Sequence, residues 1–356
     1  MQRAISVKNI GKHSFSLMLM LFLLFFLLIA SLAIGAVPIS PLEVLQVFSK
    51  EIGISTGINT NETQQIVLLN IRLPRLLFTI FIGAALGISG ATLQGLFRNP
   101  LVEPGIIGVS SGAALGAIVV IVFIARITPI SVELFKAWLL PMSAFLGAVT
   151  ATFITLKIGK YEGKTKVTYV ILAGVAVSAL ANAAIGLSIF YADDQQLRTF
   201  TFWTLGDLSV ATWDKIYILF PLICSSIIGL IGLARPLNAL ALGEAEAFHS
   251  GVSVEKVKLV AVLLSALVVG TSVAFAGVIG FIGLVVPHII RISLSPDHLL
   301  VLPASAIGGA CLLLLADIIA RTVVTPAELP IGVVTAMIGT PFFIYLLIRS
   351  KQKRLI

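Results

Sequence analysis

Ten apolar runs follow one another along this chain, and they fix its class before any motif is considered. They lie near 15–37, 75–96, 105–125, 139–156, 167–190, 215–234, 257–278, 280–293, 299–320 and 331–348. A helix needs about 20 apolar residues to cross the hydrocarbon core, and one enclosed in a bundle can be shorter. Apolar side chains make up 58% of the 356 residues and charged ones 11%, where an ordinary soluble domain carries about 25% charged. No single soluble core hides that much apolar surface. The sequence therefore predicts an all-α polytopic membrane protein with ten transmembrane helices, a single domain over 1–356. Cys224 and Cys311 each sit inside an apolar run, which predicts neither a disulfide framework nor a metal cluster. The first run is longer than the roughly 7–15 apolar residues of a cleaved signal. It reads as an uncleaved span with Arg3, Lys8 and Lys12 on its cytoplasmic side.

Charge tests this topology. With the N-terminus inside, the cytoplasmic segments hold 16 Lys and Arg against 6 Asp and Glu, and the outer segments 8 against 10. The split is +10 inside and −2 outside, as the positive-inside rule requires, and it makes a nucleic-acid partner the wrong reading of the basic excess. Ten spans put both termini in the cytoplasm. Two interrupted segments, RNPLVEPGIIG (98–108) and GFIGLVVPHIIR (280–291), each follow a glycine-rich helix. The first junction faces the cytoplasm and the second faces out, so spans 2–5 and 7–10 are expected to form an inverted repeat. Matching Gly/Pro-broken segments in two halves point to a transport pathway, although helix packing also favours small residues.

Several motifs are tempting. Gly163-Lys164-Thr165 has the ending of a phosphate-binding loop, but Ile158 stands where that motif needs its first glycine. A basic loop is the better reading. Ser89 in GISG, with His288, has the residue types of an intramembrane serine protease. Such a dyad needs hydrogen-bond contact, and the topology places His288 near the outer leaflet, away from Ser89. Asp317 and Arg321 stand one turn apart, a spacing that lets them neutralise each other. Embedded acids are too scarce for an ion-coupled secondary carrier. Arg72, Arg75 and Arg321 fall at the outer ends of spans, where basic residues are disfavoured. They read either as pairing with Asp317 and Glu328 or as a cationic rim for an acidic partner. The connection 235–258 is too polar to span and mixes Leu and Ala with Glu. It predicts a helix over 237–249, broken at Ser250-Gly251, lying under the membrane against a soluble subunit.

At these residues the chain resembles the FecCD family, the permease subunits of ABC importers for ferric siderophores, haem and cobalamin. The strings that carry the resemblance are RLPR (72–75), GAALGISGATLQGLFRNPLVEPGIIGVSSGAALG (83–116), LAGVAVSAL (172–180) and LALGEAEA (240–247). GFIGLVVPHIIR (280–291), LLADIIAR (314–321) and ELPIGVVTAMIGTPFF (328–343) complete the set. The resemblance implies a homodimer in a bacterial cytoplasmic membrane, two cytoplasmic ATPase subunits that use ATP with Mg²⁺, and an extracytoplasmic substrate-binding protein. It implies no catalytic residue and no cofactor held by this chain. It assigns Leu242, Gly243, Glu244, Ala247 and Gly251 to ATPase coupling, and Arg72, Arg75 and Arg321 to binding-protein docking. Asn99, Leu101, Val167 and Thr168 match cytoplasmic gate positions, though Val167-Thr168 departs from the small Ser/Thr pair of cobalamin-type members. GEAEAFHSGV and LRTFTFWTLGDLS look most like haem-type members, with Phe248 and Ser250 departing from the usual string. Haem joins two propionates to a large apolar ring. Arg198 beside Phe202 and Trp203 would offer a cation for the carboxylates and faces for the ring. An interfacial aromatic belt with a surface arginine is the plainer alternative, and ferric siderophores or cobalamin are the alternative cargoes.

Overall fold

The computed structural model describes residues 2–35, 37–51, 53, 61–124 and 133–354. An apolar helix stands at each of the ten expected positions: α1 (Gln2–Ala33), α4 (Leu73–Phe97), α5 (Val109–Val119), α6 (Glu133–Ile158), α7 (Val167–Phe190), α9 (Trp213–Gly232), α12 (Val254–Ala276), α13 (Ile282–Ser293), α14 (His298–Thr322) and α15 (Ile331–Arg354). Among the described residues seven are long and apolar enough to cross a bilayer, and those at Val109–Ile124, Ile282–Ser293 and Ile331–Tyr345 are shorter. Between them lie α2 (Pro41–Glu51), α3 (Glu62–Ile66), α8 (Asp194–Thr204), α10 (Ala234–Leu242) and α11 (Glu244–His249).

The centre of the bundle is α4, packed against α14, α12, α13 and α9. Small residues bring α4 and α14 to backbone contact. A Cβ added at Gly83 would lie 2.5 Å from the Gly309 carbonyl oxygen, and one at Gly87 would strike that of Ser305, the close approach by which membrane helices gain packing. The outward faces of α1, α7 and α9 stay apolar, with Phe22, Leu180 and Ile228 exposed. That inversion is what a lipid-facing surface requires.

The packing follows the expected repeat. α4 meets α14 as α12 meets α6, and α4 meets α13 as α12 meets α5. Likewise α5–α6, α6–α7 and α5–α7 contacts recur as α13–α14, α14–α15 and α13–α15. The two interrupted segments meet at the centre. A Cβ at Gly283 would lie 2.9 Å from Pro104 Cδ. The buried Gln94 amide donates to Val102 O (3.3 Å) in one segment and to Gly283 O (3.3 Å) and Leu284 O (3.2 Å) in the other.

Three expectations need correction. The chain from 277 to 281 is unwound, with positive φ at Gly277 and Phe281, and α13 begins only at Ile282, so the eighth span is a half-helix. It runs beside the last turns of α4, where Arg291 donates to Ala91 O at 3.0 Å. His288 is therefore on the same side of the bundle as Ser89 rather than at the opposite face. The protease reading fails for another reason: Ser89 is fully buried and its hydroxyl donates to Leu86 O at 3.1 Å. Finally, the helix expected over 237–249 breaks at Gly243 (φ 145°), which separates α10 from α11. Gly163-Lys164-Thr165 belongs to a hairpin of β1 (Lys160–Tyr161) and β2 (Lys164–Thr165). Its turn residues Glu162 and Gly163 both have positive φ, as a two-residue hairpin turn demands.

Candidate functional site

The unwound stretch 277–281 leaves backbone polar groups without helical partners at membrane depth. Such backbone is stable only inside protein or along a watered cavity. Val278, Gly280 and Phe281 in fact line an open groove of about 1050 Å³, with Thr204, Leu205, Gly332, Met337 and Thr340 across from them. Its wall is almost wholly apolar. A second cavity of about 460 Å³ lies behind it, lined by Phe202, Trp203, Asp207, Arg75 and Glu328 among others.

A partition built side by side from three segments divides the two spaces. Leu205, Val278 and Gly332 face the groove, while their neighbours Gly206, Gly277 and Ile331 face the smaller cavity. Backbone hydrogen bonds stitch the partition: Asp207 N to Ala276 O (2.8 Å), Gly332 N to Leu205 O (2.8 Å) and Ile331 N to Gly206 O (3.3 Å). Gly206 and Gly277 take positive φ there, and a Cβ at Gly277 would strike Trp203 O.

The three arginines expected at the outer rim turn inward. Arg75 donates from Nε and Nη2 to Asp317 Oδ1 at 2.9 and 2.7 Å, and it also grips the Glu328 carboxylate. Arg321 Nε sits 3.2 Å from Asp317 Oδ2, and its Nη2 donates to Ser31 O and Oγ. Arg72 spans the carbonyls of Leu32 and Ala33 at the end of α1 and of Val37 just beyond it. All three side chains are thus neutralised or hydrogen-bonded within the chain and largely buried. The exposed cationic rim does not form, because bare guanidinium groups at that depth would be costly and acids lie within reach.

At the other end of the bundle, Asn99, Leu101 and Thr168 are exposed and Val167 is half-buried. Asn99 Oδ1 accepts from Leu101 N at 3.0 Å, which fixes the turn that presents Leu101. Glu103 follows, its carboxyl held above the usual range by burial. Beside this turn α10 and α11 lie across the helix ends. Leu242 and Phe248 are 79% and 70% exposed, whereas Ala247 is buried. Asn238 pins α10: its Oδ1 accepts from His298 N (2.9 Å) and faces His298 Nδ1 (2.7 Å), and its Nδ2 donates to Asp297 (2.6 Å). That oxygen can only accept, so His298 carries its proton on Nδ1 and takes Arg291 on Nε2.

Against known sequences, residues 23–349 match the model of the FecCD transport family. This chain belongs to the FecCD transport family. Within that family it is similar to the hemin transport system permease protein HmuU of Yersinia pestis, 44% identical over 83% of this chain and 87% of that one. It is also similar to the vitamin B12 import system permease protein BtuC of Klebsiella pneumoniae, 40% identical over 81% and 84%. Its fold is similar to a solved inward-facing conformation described as a metal-chelate type ABC transporter, at TM-score 0.78 and 32% identity over 93% and 97% of the two chains.

In this FecCD chain the structure brings Phe202 and Trp203 to one cavity, as the sequence grouped them. It leaves Arg198 exposed on α8 and outside that lining. Sequence reasoning missed Val278, Phe281, Met337 and Thr340 as groove wall. The signal was present in Gly277 and Gly280, which punctuate an otherwise continuous apolar run.

Proposed function

We propose that this chain is the membrane permease of a binding-protein-dependent ABC importer, working as a homodimer with two cytoplasmic ATPase subunits, and that its cargo is haem. The observation that carries the reading is the unwound 277–281 backbone facing a broad apolar groove. A lipid-exposed surface does not tolerate such backbone, whereas a pathway does. An apolar wall with few polar groups suits a large planar macrocycle better than a heavily hydroxylated chelate. The likeness to a hemin permease supports haem, and the likeness to a B12 permease keeps cobalamin as the second reading.

In this reading the Gly243 end is cytoplasmic and both termini lie there. The partition of 205–206, 277–278 and 331–332 closes the pathway from outside. The binding protein docks over the end that holds Arg72, Arg75 and Arg321. These arginines shape and stiffen that surface from beneath, and the half-exposed Glu328 is the charge it presents. Asn99, Leu101, Val167 and Thr168 gate the inner mouth. Leu242 and Phe248 on α10 and α11 meet the ATPases, with Gly243 and Gly251 setting the turns and Ala247 seating α11. The chain itself does no covalent chemistry. Binding protein and ATPases bias which side of a two-state element is open.

The test is uptake into proteoliposomes that hold the reconstituted complex, with hemin, a ferric siderophore and cobalamin compared at equal concentration. ATP-dependent hemin accumulation above the other two is the expected result. Equal exclusion of all three refutes the cargo class, and preferential cobalamin uptake selects the second reading.

A further inference from the structure

Lys258, in the first turns of α12, is 4% exposed, yet its ammonium meets three oxygens from three places in the chain. Nζ donates to Thr165 O at 2.8 Å, to Glu244 Oε2 at 2.8 Å and to Glu255 Oε1 at 3.1 Å. An ammonium has three protons, so the set is complete. Glu255 closes the circle by accepting from Thr165 N at 2.7 Å. Both backbone groups of Thr165 are thereby spoken for by α12, and the same lysine holds the first residue of α11. Thr165 ends the β2 strand and stands two residues before Val167, where α7 begins.

We propose that Lys258 is the positioning residue that transmits movement of the α10–α11 segment to the start of α7. This rests on the reading of that segment as the ATPase contact and of Val167-Thr168 as the inner gate. A buried ammonium cannot shed an acceptor without a large desolvation cost. If α11 shifts with the ATPases, Lys258 and Glu255 carry Thr165 with it, and the exposed Thr168 side chain is re-aimed. Without the lysine, α11 and α7 share no ionic tie through this point. The ATPases still dock and hydrolyse ATP, while the gate no longer follows them.

The experiment uses the full complex with ATPases and binding protein, carrying Thr168→Cys in a Cys224→Ser, Cys311→Ser background. The readout is the rate of Thr168→Cys labelling by a membrane-impermeant maleimide, with and without ATP plus vanadate. In the parent, nucleotide should change that rate about fivefold or more, the range typical of coupled sites. Lys258→Met should abolish the nucleotide dependence and lower cargo moved per ATP, and Lys258→Arg should restore part of both. A merely structural lysine would alter melting but leave the nucleotide dependence intact. If Lys258→Met fails to assemble, Glu255→Gln, which keeps the shape and drops the charge that pairs with Lys258, is read the same way. Retained nucleotide-dependent labelling in the assembled variant overturns the proposal. The underlying reading is tested separately by Gly243→Trp with Glu244→Lys: ATPases that still co-purify and respond to cargo refute that docking assignment, whatever Lys258 does.

Discussion

Replacing Asp317 by Asn removes the one carboxylate shared by two buried guanidinium groups. Its side chain is 1% exposed, and those of Arg75 and Arg321 are 11% and 8%. Breaking a buried ion pair by removing one partner costs about 3–5 kcal/mol. Glu328 still reaches Arg75 at 2.8 Å, and Ser31 still accepts from Arg321 at 3.0 and 3.1 Å. The expected loss is therefore at the lower end, about 3 kcal/mol. Glu328→Gln removes a half-exposed charge from the same cluster and should cost about 1 kcal/mol or less. Cys311 provides the assay. It is buried and lies six residues before Asp317 on α14, so in a Cys224→Ser background a thiol-reactive fluorophore reports unfolding in detergent. At roughly 2 °C per kcal/mol, Asp317→Asn should lower Tm by about 6 °C. The drop should persist at high salt, because buried pairs are screened little. A Tm shift no larger than that of Glu328→Gln, or one that disappears with added salt, would refute an internal role and return these arginines to an exposed rim.

Three further outcomes are expected. Arg198→Ala should reduce hemin uptake at subsaturating hemin while leaving complex assembly unchanged; equal uptake by variant and parent would leave Arg198 a surface residue of an aromatic belt. Gly87→Val drives a side chain into the Ser305 carbonyl and should cost about 1–3 kcal/mol or more, seen as lost monodisperse protein by size exclusion, whereas a parent-like yield and Tm would contradict the backbone contact. Burial raises the Glu103 carboxyl, so as pH rises the unfolded chain loses this proton first and the folded state is penalised above the ordinary Glu range. Glu103→Gln should therefore stabilise the protein at neutral pH, with the gain fading as pH falls through the raised pKa and gone below about 4; a Tm difference independent of pH would rule this out.

The span positions were legible because lipid leaves helices little choice, and the repeat was legible because its broken segments carry Gly and Pro at matching places. Burial partners were not. Arg75 and Asp317 are 242 residues apart, and only the fold decides that a basic residue at a span end meets an embedded acid. The break at Gly243 is not legible, because a lone glycine in LALGEAEA is compatible with a continuing helix; only its φ of 145° shows the turn. The start of α13 is hidden for a related reason: GFIGLVV reads as one apolar run whether it is helical or unwound. α8 left a clearer trace. Asp193 and Gln196 form a reciprocal capping box at its start, a pattern readable from spacing alone.

The glycine seam between α4 and α14 has a mechanical consequence. With carbonyls of one helix seated against the Cα atoms of the other, neither can slide or roll by a fraction of a turn without steric collision. In the proposed transport cycle the pair should therefore move as one body, a spindle carried whole. Displacement is then left to segments joined through residues of positive φ, Gly206 and Gly277 among them, whose backbone torsions can absorb a rotation that packed helices cannot. Stiffening the spindle should leave the proposed cycle untouched, and stiffening the positive-φ links should slow it.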